Sequence, residues 1–123
     1  MSVTELNSLL LNNVVDLRFV RRRQVNYKSP IRRMICTKSF ELLNSNNGLI
    51  SLGYRKPVGP PDYNPETEGL VTVWDIIMQD YRNVPAETVT INKVIPANDQ
   101  FWTYFNEQLY TMSAQQKMQF MSS

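Results

Sequence analysis

The feature that most constrains folding is a change of hydrophobic period at Asn12-Asn13. Before it, Leu6, Leu9 and Leu10 fall at i, i+3 and i+4 and share one helical face. After it, Val15, Leu17 and Phe19 alternate with Asp16, Arg18 and Val20, the period of a strand. A short helix over residues 4–13 is therefore expected, with Thr4 as its cap and Glu5 near its positive end. A strand over residues 14–22 follows. Gln24 to Pro30 is polar and reads as a loop, and Ile31 to Thr37 is β-branched and reads as a second strand, antiparallel to the first.

The rest of the chain continues in short elements. Phe40 to Leu43 fits a helical turn, and Asn44 to Gly48 is a strong loop signal. Residues 53–69 hold four prolines and three glycines and form the longest irregular stretch. Leu70 to Ile77 reads as a third, central strand, Tyr81 to Val84 as a fourth and Glu87 to Ile95 as a fifth, closed by Pro96. Asn98 or Asp99 caps a C-terminal helix whose apolar stripe is Phe101, Phe105, Leu109 and Met112, widened by Trp102; Ser113 caps a further short helix. The expected fold class is mainly β with helices: a small SH3/Sm-like barrel with a short N-terminal helix and an amphipathic C-terminal helix. The alternative is an open antiparallel sheet with the aromatic helix across one face. The 123 residues make one domain, with the barrel over 14–96, a Pro-rich loop at 53–69 and a helical extension over 98–120.

Composition narrows the chemistry. The chain has no histidine and a single cysteine, Cys36. This excludes an intramolecular disulfide, a Cys-based zinc site and any Ser–His or Cys–His nucleophile pair. Cys36, within an apolar strand, is expected to be a small buried hydrophobe. The acid pairs Asp75/Asp80 and Glu66/Glu68 lack the spacing of a metal-binding loop, so no metal and no cofactor is expected. No apolar run approaches the roughly 18 residues of a membrane span, and the first residues do not read as a signal peptide. The expectation is a cytoplasmic protein with no membrane partner, and not an enzyme.

Charge then points to a partner. Residues 1–38 carry eight Lys/Arg and two acids, a net of +6; residues 39–123 carry a net of −4. The first hairpin gathers Arg18, Arg21, Arg22, Arg23, Lys28, Arg32 and Arg33 around one end. Arginine forks suit phosphate and carboxylate alike, so the partner is nucleic acid or an acidic protein, with Tyr27 and Tyr54 as stacking faces. The plainer reading of the same cluster is a solvated tip that protects a sheet edge. Trp74 is expected in the core, with Asp75 accepting from an arginine such as Arg82 across the turn. The C-terminal helix is expected to pack on the barrel. Its sharper reading is a partner anchor built from Trp102, Phe105 and Tyr110, or a homodimer surface.

Several segments carry a family resemblance. Val14-Val-Asp-Leu-Arg-Phe-Val-Arg-Arg22, Arg32-Arg-Met-Ile-Cys-Thr37, Val73-Trp-Asp75, the pair Tyr81-Arg82 and the strand Val89 to Ile95 occur in an order that resembles WYL-like small proteins of tailed phages. The resemblance covers roughly residues 6–95. It implies an Sm- or SH3-type barrel and an accessory or regulatory protein made by phage in the host cytoplasm, and it brings no catalytic set. The first hairpin departs from the family pattern by its longer Arg21–Pro30 segment, and Tyr81-Arg-Asn-Val84 stands where Trp-Arg-Ser-Phe is expected. The joint expectation is a non-enzymatic protein that binds nucleic acid, or the host transcription or replication machinery, through the Arg-rich hairpin. The alternative is a protein–protein inhibitor of a host enzyme or defence factor, held by the aromatic helix.

Overall fold

A computed structural model describes residues 1–23, 29–44 and 65–123. Helix α1 (Val3–Leu11) is started by Ser2, not Thr4. The Ser2 hydroxyl accepts from the Glu5 amide at 3.1 Å, while the Glu5 carboxylate accepts from the Ser2 amide at 3.2 Å. This reciprocal box satisfies two donors that a helix start leaves open, and Thr4 already lies inside the first turn. Leu6 and Leu10 are fully buried, as their spacing requires.

Strands β1 (Asn13–Val20), β2 (Ile31–Thr37), β3 (Leu70–Asp75), β4 (Asp80–Pro85) and β5 (Thr90–Pro96) form one antiparallel sheet in the order β4-β3-β2-β1-β5. The central strand is thus β2, and β3 stands one place outside it. β1 and β2 pair along their whole length, from Val14↔Thr37 to Val20↔Ile31. β2 and β3 meet only at Cys36↔Asp75 and Thr37↔Trp74. Among the described residues β4 and β5 stand at the two ends of this order, so the sheet is not closed. The fifth strand also starts later than its apolar pattern suggests. Pro85 cannot donate to a ladder, and Ala86–Thr88 turns as a short 3-10 segment before β5 begins.

Both faces of the sheet are covered, which explains why β1 is buried on both sides. The inner face carries Val15, Leu17, Phe19, Met34, Cys36, Val71, Val73 and Val84, packed against α1 and Ala86. The outer face carries Val14, Ile35, Trp74 and Ile95. Against them lie α2 (Phe40–Asn44), the turn at Ile76 and Ile77, and the C-terminal helices. Asn98 caps α3 (Asp99–Tyr104), which runs into a π-helical turn at Phe105–Leu109; the Tyr110 amide donates to the Phe105 carbonyl at 2.8 Å. Phe101, Phe105 and Leu109 are buried, so the expected stripe faces the sheet. Helix α4 (Ala114–Met121), started by a Ser113–Gln116 capping box, has no buried residue. Among the described residues no helix is long and apolar enough to cross a membrane.

Candidate anion-binding groove

Strand alternation splits the arginines expected at one hairpin end between the two sides of the sheet. On β1, Asp16 and Arg18 lie on the face opposite Leu17 and Phe19. Arg33, the register partner of Arg18, shares their face. Arg33 forks onto Asp16, with Nε and Nη2 at 2.9 and 2.7 Å from the two carboxylate oxygens. That bond holds the guanidinium above its ordinary pKa. Its plane also lies 4.2 Å over the Phe120 ring. Arg18 donates to Asn92 at 2.6 Å and to the Ser123 carbonyl at 2.8 Å. Asn92 is the extra residue of a bulge where β5 passes β1, and its amide reaches back to Asp16 at 3.3 Å. Arg18 and Arg33 therefore tie the C-terminal segment to the sheet.

The other face carries a groove of about 520 Å³. Arg21, Arg22, Arg23, Arg32 and Arg82 line it, over a floor that includes Phe19, Leu70 and Pro85. No aspartate or glutamate is among its described lining residues. Several local devices hold this arrangement. The Arg21 amide continues the hairpin ladder to the Pro30 carbonyl at 2.8 Å, and its Nε donates to the Ser29 carbonyl at 3.2 Å. The Val20 amide donates to the Thr88 hydroxyl at 3.1 Å, which fastens the end of β1 to the Ala86–Thr88 turn. Arg22 forks onto Glu87, at 2.9 and 3.2 Å from Nη2. Gly69, at φ +75, lets the chain turn into β3 where a side chain would be strained. A Cβ there would also stand 3.0 Å from Arg22 Nη2.

Arg32 is the most constrained of the five. Its Nη2 donates to Asp75 at 2.6 Å, and both side chains are largely buried. Its Nε is buried with no acceptor among the described residues. Asp75 also accepts from the Ile77 and Met78 amides, each at 3.1 Å, and so caps the turn into β4. Burial pushes the Asp75 carboxyl up, against the opposing pull of those amides and of Arg32. The partner of Asp75 is thus Arg32; Arg82 instead pairs with Asp80 at 2.9 Å. Burial, and then the neighbouring Arg32 charge, push the Arg21 guanidinium down. The exposed Arg23 and the half-buried Arg21 have no carboxylate partner among the described residues.

Of the seven basic residues expected to act together, the groove unites Arg21, Arg22, Arg23 and Arg32. Arg18 and Arg33 serve the opposite face, and Lys28 lies outside the described residues, as do Tyr27 and Tyr54. Arg82 was missed. The signal for it was the alternation in Tyr81-Arg-Asn-Val84, which puts Arg82 on the inner face with Val84. The anchor residues also separate. Phe105 is a core residue, in ring contact with Phe101 and Trp102, and offers no surface to a partner. Trp102 is half-buried against the same core, and Tyr110 is 70% exposed. Trp74 is fully buried, edge-on to Tyr81 at 4.9 Å. Burial raises the Cys36 thiol well above its usual pKa, so the residue is an unreactive hydrophobe. No family model, no curated protein and no solved structure matches this chain.

Proposed function

We propose that this is a non-enzymatic accessory protein that binds nucleic acid through the arginine groove. The observation that carries the reading is five arginine side chains meeting in one concave site with no carboxylate in its described lining. Arginine forks neutralise phosphate oxygens with bidentate hydrogen bonds, and a cleft lined by one sign of charge concentrates an anionic ligand. A phage origin and a host nucleic-acid machine as the site of action rest on the sequence resemblance. The SH3/Sm-type assignment is likewise proposed: β5 returns beside β1, a 3-10 turn makes the β4–β5 corner, and the inner cluster joins β1 to β4.

Titration of labelled single- and double-stranded DNA and RNA, at low and physiological salt, tests the reading. The variant to compare is Arg21→Gln/Arg23→Gln, because neither residue pairs with a carboxylate among the described residues. Its affinity is expected to fall by about tenfold or more, the scale of one lost charge-assisted hydrogen bond, while its melting temperature falls by no more than the loss of the Arg21–Ser29 hydrogen bond accounts for. Wild-type protein that binds none of the probes at physiological salt overturns the proposal. One observation favours the second reading, a protein inhibitor: Tyr110 and Met118 are 70% and 67% exposed at the C-terminal end. In that case Tyr110→Ala, and not the arginine variant, releases the partner.

A further inference from the structure

The charge balance of the groove limits what it can hold. Glu87, Asp75 and Asp80 each face one of its arginines, so Arg22, Arg32 and Arg82 are already matched. Among the described residues the surplus is two positive charges, those of Arg21 and Arg23. Both belong to one short segment at the end of β1. Arg21 stands two residues beyond Phe19, on the same face, and Phe19 is the register partner of Arg32. Arg21 and Arg32 therefore converge from adjacent strands, and burial first, then the Arg32 charge, lowers the pKa of Arg21. Beside this concentrated charge lies the apolar floor of Phe19, Leu70 and Pro85.

A sugar-phosphate backbone spreads its charge, one per phosphodiester, along an extended path. A duplex presents those charges on a convex surface. A phosphate monoester carries about −1.5 to −2 on a single group at neutral pH, with three strong acceptor oxygens. That is the charge, and the concentration of charge, that the groove leaves unmatched. We infer that the groove holds the terminal phosphate monoester of a nucleic-acid strand, with Arg21 and Arg23 as its principal donors and the adjoining nucleotide over the apolar floor. The inference rests on the nucleic-acid reading and narrows it from backbone to strand end.

The test uses the full chain and short single-stranded oligonucleotides of one sequence, labelled at the far end. The near end carries a phosphate, a methyl phosphate or a hydroxyl, on the 5′ side in one series and the 3′ side in another. Fluorescence anisotropy at physiological salt reads affinity. The phosphate end is expected to bind about tenfold tighter than the methyl phosphate or hydroxyl in at least one series, the scale of one charge-assisted hydrogen bond. Arg21→Gln and Arg23→Gln should each shrink that preference, with an unchanged circular dichroism spectrum. Equal affinity for all three ends, with all three weakened in the arginine variants, overturns the inference and leaves the nucleic-acid reading standing. Adenosine monophosphate that competes as strongly as the phosphate-ended strand overturns the strand-end assignment in favour of a free nucleotide. Binding of a phosphoserine peptide, with no oligonucleotide bound, overturns the nucleic-acid reading and keeps only the monoester chemistry. Absence of binding to every probe overturns both.

Discussion

At the scale of single residues, Asp75 couples the groove to the fold. It is 1% exposed, and it accepts from Arg32 and from two backbone amides of the following turn. Asp75→Ala strands a largely buried arginine and two amide donors together, so it should cost about 3–5 kcal/mol in urea unfolding. Asp75→Asn keeps an oxygen for the amides and should cost less. Its penalty also has a pH dependence whose sign follows from burial. The folded carboxyl titrates above its ordinary value, so between the two values the folded chain holds a proton that the unfolded chain has lost. In that window the wild type gives up stability as pH rises, and it regains that stability as pH falls below the ordinary value. Asparagine does not titrate. The cost of Asp75→Asn is therefore expected to shrink from pH 4 to pH 7, measured as the difference in urea midpoints. A cost that grows over that range would mean that Arg32 outweighs desolvation at this site.

At the scale of elements, the two C-terminal helices have opposite roles. α3 and its π turn bury Phe101, Phe105 and Leu109 in the outer core, and each such side chain is worth roughly 2–5 kcal/mol against alanine. Removal of residues 98–123 should leave a chain that does not fold, since the loss matches a whole domain's stability of about 5–15 kcal/mol. α4 buries no residue fully; it is held by Phe120, partly buried against the outer core, by Arg33 over the Phe120 ring, and by Arg18 and Arg33 on Ser123. Removal of residues 113–123 should cost about 2–4 kcal/mol, the scale of one partly buried aromatic ring, a cation–π contact and a few exposed hydrogen bonds, and leave the circular dichroism spectrum of a folded sheet. A folded 1–97 chain would show that the aromatic stripe belongs to a partner and not to this core. The same contrast marks what periodicity could and could not reveal. The stripe Phe101/Phe105/Leu109 was legible because it records one buried face, and the strand Ile31–Thr37 because of its β-branched composition, since its second half is buried on both faces. The Ser2 cap was legible in the Ser2-x-x-Glu5 spacing of a capping box, which Thr4, with Asn7 three residues on, lacks. Arg82 escaped because its neighbours in the groove lie far from it in sequence. Alternation along β1 and β2 was plain, yet grouping their arginines by proximity in sequence ignored that it sends Arg32 and Arg33 to opposite faces.

At the scale of the molecule, folding cancels much of the charge separation that the sequence displays. The N-terminal 38 residues hold a net of +6, and the remainder holds a net of −4. In three dimensions the acids of the second part come back onto the arginines of the first: Asp75 onto Arg32 and Glu87 onto Arg22. Asp16 takes Arg33 within the first part itself. The protein therefore offers an anionic partner far less free charge than its hairpin sequence suggests. This difference is measurable as the salt dependence of binding, because each neutralised phosphate charge on a single strand contributes about −0.7 to the slope of log K against log salt. The seven basic residues of the hairpin acting together would give a slope of about −4.9, and five groove arginines acting together about −3.5. The two arginines without carboxylate partners among the described residues give about −1.4, and that is the expected value. A slope near −3.5 would require the ligand to displace Glu87, Asp75 and Asp80 from their arginines. Because Asp75 also caps the β3–β4 turn, such displacement would loosen that turn. Amide exchange at Ile77 and Met78 would then rise on binding, whereas the shallow slope predicts that those two amides stay as protected in the complex as in the free protein.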